Sequence, residues 1–112
     1  MQAIRRDCEE LRQRRKVTIN EELVNADTPA HSSPHTIELL EQICDEQGIR
    51  CKKMVSRAYH DSLFMARLAP IAMIFIPCRN GVSHRPDEFA KPEDIALGTR
   101  VLAETLAKLA SE

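Results

Sequence analysis

The sequence predicts an α/β fold, and three observations carry that prediction. From residue 34 onward, helical and extended patterns alternate in the order α-β-α-β-α, which sets crossover helices against a parallel sheet. Residues 71–77, IAMIFIP, are apolar on both faces, as strands inside a parallel sheet are. A sharp change of composition at NADTPAHSSP, residues 25–34, separates this rhythm from a first stretch that does not share it.

Residues 2–15 place Ile4, Cys8 and Leu11 at helical spacing among charges, which predicts an amphipathic helix. Residues 16–24 alternate Val17, Ile19 and Leu23 with polar residues, the pattern of a half-buried strand. After the break, Ser33 can cap a helix with Pro34 at its first position, and Ile37, Leu40, Ile43 and Cys44 make its apolar stripe. Gly48 ends it through a left-handed residue. Residues 51–55 predict a short strand, Asp61 to Leu68 a short helix stopped by Pro70, and 71–77 the core strand. Asn80-Gly81 marks a loop. A final helix is expected from Pro92 to about Leu109, with Ile95, Leu102, Leu106 and Leu109 as its apolar residues.

Composition excludes several classes. The chain has 112 residues, enough for one small domain. Its 16 basic and 17 acidic residues nearly cancel, so neither nucleic acid nor a membrane surface is an expected partner. The basic cluster Arg12, Arg14, Arg15 and Lys16 adjoins Glu9 and Glu10 and reads as a solvated helix end. Cys8, Cys44, Cys51 and Cys78 form no CxxC pair and read as free thiols, with Cys44 and Cys78 in apolar surroundings. No apolar run is long enough to span a membrane, and the first twenty residues are too charged for a signal peptide.

Ligands of open α/β sheets bind beyond the carboxyl ends of the strands. His60 follows the strand predicted at 51–55 and His84 the strand at 71–77, so parallel pairing would bring both imidazoles to one rim. Two histidines there could hold a metal or polarise a carbonyl, but the spacing alone is a weak signal and favours two surface-loop histidines at helix starts. His31 and His35 flank the serine-proline stretch, where Pro34 disrupts any i, i+4 metal pair. Of the adjacent acidic pairs, only Asp87-Glu88 lies beside a candidate site. The three glycines cannot form a phosphate loop, and no GxSxG elbow occurs. The residues alone give no complete catalytic set.

The wording of the second half, however, resembles a known family. SRAYHDSLFMA at 56–66, MIFIP at 73–77, GVSHRPDE at 81–88 and PED at 92–94 are similar to the carboxyl-terminal part of the dinuclear metallohydrolases. That family contains aminoacylases, zinc carboxypeptidases and amidohydrolases of carbamoyl and ureido substrates. Within the last branch the wording is most similar to the plant-type allantoate deiminases. The resemblance is strong over 50–110, weaker over 1–49, and corresponds to about the last quarter of a family chain.

The resemblance implies the C-terminal part of a catalytic domain, residues 29–112, with a parallel-strand core and crossover helices. Residues 1–28 would be the last helix and strand of an inserted α+β lid, which is also the dimerisation domain. It implies that His84 is the family's last metal ligand and that His60 binds substrate or stabilises the tetrahedral intermediate. Glu88 and Asp61 would support these groups from behind. Arg57 and Tyr59 stand where the family has glycine, which changes the bulk of the pocket and leaves the substrate open. The implied cofactors are two divalent ions, Mn²⁺ or Zn²⁺, and the implied partners are a small ureide and a second subunit.

The implied activity is release of ammonia and carbon dioxide from allantoate in purine catabolism, with ureidoglycolate or N-carbamoyl-L-amino acids as alternatives. Its location would be intracellular, or the endoplasmic reticulum if it is like plant relatives. A non-catalytic dimerisation remnant and a metal-free α/β protein are the competing readings. The family's other metal ligands and its general-base Glu belong upstream of the matched region, and one histidine cannot hold a catalytic metal. The 112-residue chain alone is therefore expected to release no ammonia from allantoate with Mn²⁺ beyond the level of a His84→Ala control.

Overall fold

A computed structural model describes all 112 residues. It contains four α-helices: α1 (Gln2–Arg15), α2 (Pro34–Glu46), α3 (Ser62–Met65) and α4 (Pro92–Leu109), with a single 3₁₀ turn at Arg79–Gly81. The helix positions follow the sequence rules closely. Ser33 Oγ accepts from the Thr36 N–H at 3.3 Å, and Pro34 fills the first turn of α2, where no N–H is needed. Gly48 lies at φ 64 just beyond the end of α2, and the Ile49 N–H returns to the Cys44 carbonyl at 2.8 Å. Glu93 and Asp94 in the first turn of α4 and Lys108 in its last complement the helix dipole.

The predicted strands are not formed. Residues 16–24, 51–55 and 71–77 carry no strand assignment, and the parallel-strand core expected of the α/β reading is absent from this chain. The reason lies in hydrogen bonding. A strand needs a neighbour for its backbone groups, and 51–55 and 71–77 exchange no backbone hydrogen bond with each other. The one backbone hydrogen bond that holds 71–77 is from the Ser33 N–H to the Ile71 carbonyl, at 2.7 Å, and Ser62 Oγ adds a side-chain contact to Met73 Sδ at 3.1 Å.

What core exists lies between α2 and α4. Ile43 is fully buried, with Cys44, Val101 and Thr105 beside it and Leu39, Leu40 and Ile49 around them. The Lys108 ammonium meets Glu46 at 2.9 Å, and Gln47 donates to Glu104 across the same seam. Of the apolar residues picked out on α4, Ile95, Leu102 and Leu106 are exposed and Leu109 is half-buried. Leu106 is 58 % exposed, while Val101 and Thr105 make the contact with α2. Burial also pushes the Cys44 thiol above its ordinary range, with the neighbouring Cys51 adding to the effect. One to two turns N-terminal to Val101 and Thr105 and on the same face of α4, Gly98 lies against residues 71–77: a Cβ there would stand 2.6 Å from Ile76 Cγ2.

The molecule is open. Its radius of gyration is 20.0 Å, where a compact chain of this length has about 13 Å. Its accessible surface is 9598 Å², against about 6,200 Å² for a compact monomer of this mass. With so small a core, Ile43→Ala removes most of the packing between α2 and α4. The substitution is expected to cost about 2–5 kcal/mol, read as loss of helical circular dichroism at lower temperature.

Candidate active site

The two candidate histidines sit in different settings. His84 is carried by residues 79–89, a loop closed at its neck. The Arg79 N–H donates to the Phe89 carbonyl at 2.7 Å, and the Arg79 guanidinium lies over the Phe89 ring at 4.5 Å. Asn80 and Gly81 turn the chain through left-handed conformations, φ 56 and 65. Arg85 pairs with both oxygens of Asp87, at 2.9 and 3.0 Å, so Asp87 is committed within the loop.

His84 is itself left-handed, at φ 58. Residues with a Cβ adopt that region at a cost of about 1–2 kcal/mol, and its occupants cluster at functional sites. The Glu88 carboxylate holds the turn: it accepts the His84 N–H at 2.7 Å and the Ser83 hydroxyl at 3.4 Å. Glu88 thus fixes the backbone of His84 and leaves the imidazole of this exposed residue free.

His60 is half-buried. It lines a groove of about 1070 Å³ bounded by residues 49–60, residues 71–77, α2 and α4. Its Nε2 shares a hydrogen bond with Ser56 Oγ at 2.7 Å, and Ser56 Oγ also accepts the Ala58 N–H at 3.3 Å. The Phe75 ring lies 5.8 Å away and tilted by 58°. Ser56 therefore orients the imidazole, and the Phe75 ring packs beside it. Asp61 begins α3, and its side chain makes no capping bond.

A polar network lies next to His60. Tyr59 donates its hydroxyl to Asp27 and accepts from Asn25 Nδ2 at 2.9 Å, while Arg67 meets Asp27 at 2.9 Å. The Tyr59 hydrogen bond is the main reason that Asp27 titrates below the usual carboxylate range, with Asn25 and Arg67 acting in the same direction. The same bond raises the Tyr59 phenol above its ordinary value.

The shared rim expected for the two histidines is not built, because the parallel strands that would create it are not paired. His60 lines the groove and His84 does not. No group of three or more His, Cys, Asp and Glu side chains comes together in a way that could hold a metal ion. A pair of divalent ions does not fit the residues of this chain alone. His35 meets Glu112 at 3.0 Å, far along the chain from either candidate. Ser56 and Asp27 did not stand out by residue type, and Tyr59 did so only as a bulky residue where the family has glycine. The i, i+4 spacing of Ser56 and His60 is a usable signal, whereas nothing in the sequence joins Asp27 to Tyr59. Glu88→Ala leaves the His84 N–H without its charged acceptor. Amide exchange at His84 is expected to accelerate about tenfold, from a bond of roughly 1.5 kcal/mol.

Comparison with known proteins adds to this geometry. The family described as Peptidase family M20/M25/M40 matches residues 10–108. A ureidoglycolate hydrolase of Arabidopsis thaliana is 48% identical over 107 residues, covering 95% of this chain and 22% of that protein. An N-carbamoyl-L-amino-acid amidohydrolase of a Pseudomonas strain is 43% identical over 83 residues, 74% of this chain and 20% of that one. An allantoate amidohydrolase of Escherichia coli is 32% identical over 103 residues, 92% of this chain and 24% of that one. The chain thus spans about a fifth to a quarter of the length of these relatives. No solved structure matches. Members of this family share a metallohydrolase fold and are generally metal-dependent, and the chain, matched over nearly its whole length, belongs to the M20/M25/M40 peptidase family.

Proposed function

We propose that this chain serves a metal-dependent amidohydrolase of ureide catabolism that cleaves allantoate, releasing ammonia and carbon dioxide. The observation that supports this reading best is the construction of the His84 loop. A left-handed histidine, held by Glu88 through its backbone, presents an uncommitted imidazole. Family membership supplies the reaction class, and the relatives named for allantoate and N-carbamoyl amino acids supply the bond type.

In this reading His84 is one metal ligand and Glu88 sets its backbone. Two ions, Mn²⁺ or Zn²⁺, would need their remaining ligands from outside these 112 residues, since no such cluster forms within them. When bound, such ions polarise the scissile carbonyl and activate water. His60 would meet the substrate from the groove, its ring steadied by Ser56 and Phe75. Asp61, directly after His60 at the start of α3, would support that histidine. Residues 29–112 would complete a parallel-strand catalytic domain, and 1–28 the lid through which two subunits pair.

A second substrate, ureidoglycolate, is favoured by the 48% identity to the Arabidopsis protein of that name. Both substrates carry the ureido group. The test is an ammonia-release assay on a longer polypeptide that contains this segment, loaded with Mn²⁺ or Zn²⁺ and offered each substrate. His84→Ala is expected to abolish metal retention and activity together. His60→Ala is expected to lower kcat by about 10²–10³-fold with metal content unchanged. Full activity in His84→Ala would defeat the metal-ligand assignment. The substrate with the higher kcat/KM decides between the two ureides.

A further inference from the structure

We propose that Asp27 and Tyr59 form a clasp by which the amino-terminal arm, residues 1–28, sets the position of the loop that carries His60. Both would be positioning residues for that histidine. The proposal rests on the placement of His60 at the reacting centre, but the clasp itself is read from contacts that do not involve that assignment.

Four observations converge on it. Every hydrogen bond and ion pair between residues 1–28 and the rest of the chain runs through Asn25 or Asp27, and their partners are Tyr59 and Arg67 alone. Helix α1 packs against no other helix, so no helix-to-helix contact ties the arm down. The two partners bracket His60: Tyr59 precedes it, and Arg67 follows α3, whose first turn takes the His60 carbonyl through the Leu63 N–H at 2.9 Å. Finally, the bracket is stiffened internally. Tyr59 meets the Phe64 ring edge-on at 5.9 Å, and the Arg67 guanidinium lies over the same ring at 5.4 Å. A displacement of Asp27 is therefore felt on both sides of residues 60–66 at once.

Charge gives the clasp a defined range. The groups facing one another are the Asp27 carboxylate, the Arg67 guanidinium, the neutral Asn25 amide and the Tyr59 phenol. Asp27 has a lowered pKa, so its contribution is present above the ordinary carboxylate range and is lost as pH falls through the folded value. Tyr59 has a raised pKa, so its contribution is present below the ordinary phenol range and is lost as pH rises through the folded value. The clasp is closed across the neutral range between those limits.

The experiment uses the intact 112-residue chain. Tyr59 is its one tyrosine and there is no tryptophan, so phenolate absorbance titrates Tyr59 alone. Asp27→Asn is expected to bring the Tyr59 midpoint down toward the ordinary value of about 10. It should also shift the Cε1 NMR signal of His60 while those of His84 and the helical circular dichroism stay unchanged. Tyr59→Phe, which keeps the packing on Phe64, should shift the same His60 signal. If Asp27→Asn loses helix, the Tyr59→Phe result decides. An unmoved His60 signal in Tyr59→Phe, or an unmoved Tyr59 midpoint in a folded Asp27→Asn, would overturn the clasp. Failure of the amidohydrolase reading would show in the ammonia assay and leave both of these readouts intact.

Discussion

A strand exists only where its backbone groups find a second strand, and this requirement governs the whole molecule. Residues 71–77 have the composition of a strand buried on both faces, yet a single backbone hydrogen bond, to the start of α2, anchors them. The groove of about 1070 Å³ opens between these residues, 49–60 and the two long helices. Ile71, Met73, Phe75 and Ile76 give it an apolar wall, and Lys52, Lys53 and Arg57 a charged one. With no strand pairing to close it, the chain is open and its core is small.

The helices were legible because their signals are local. Ser33-Pro34, Gly48 and Pro92 each act within a few residues, and the structure places the helix ends where they indicate. The strands were not legible as formed elements, because apolar alternation states a preference whose fulfilment depends on residues elsewhere. The buried face of α4 was not legible for a related reason. The apolar residues at regular spacing, Ile95, Leu102, Leu106 and Leu109, do not include Val101 and Thr105, which meet the buried face of α2, Ile43 and Cys44. The candidate site divides in the same way. His84 and Glu88 are four residues apart and their bond could be anticipated, whereas Asp27 and Tyr59 are joined by the path of the chain alone.

The two histidines are also supported differently. His84 depends on a closed loop that brings its own fastenings: the Arg79–Phe89 neck, the Arg85–Asp87 pair and the Glu88 carboxylate. It can keep its shape whatever the groove does. His60 depends on Ser56, on Phe75 from the apolar segment and on the arm through Tyr59. One part of the site is therefore self-contained and the other is assembled from distant stretches.

The contact at Gly98 has a consequence for how such a chain can change over time. With Ile76 Cγ2 only 2.6 Å from where a Cβ would stand, positions 76 and 98 share one volume between them. A methyl group acquired at 98 has to be given up at 76, or the helix has to lift from the segment it covers. The two sites are thus free to drift only together, and the distance between α4 and the apolar segment is inherited as a property of the pair.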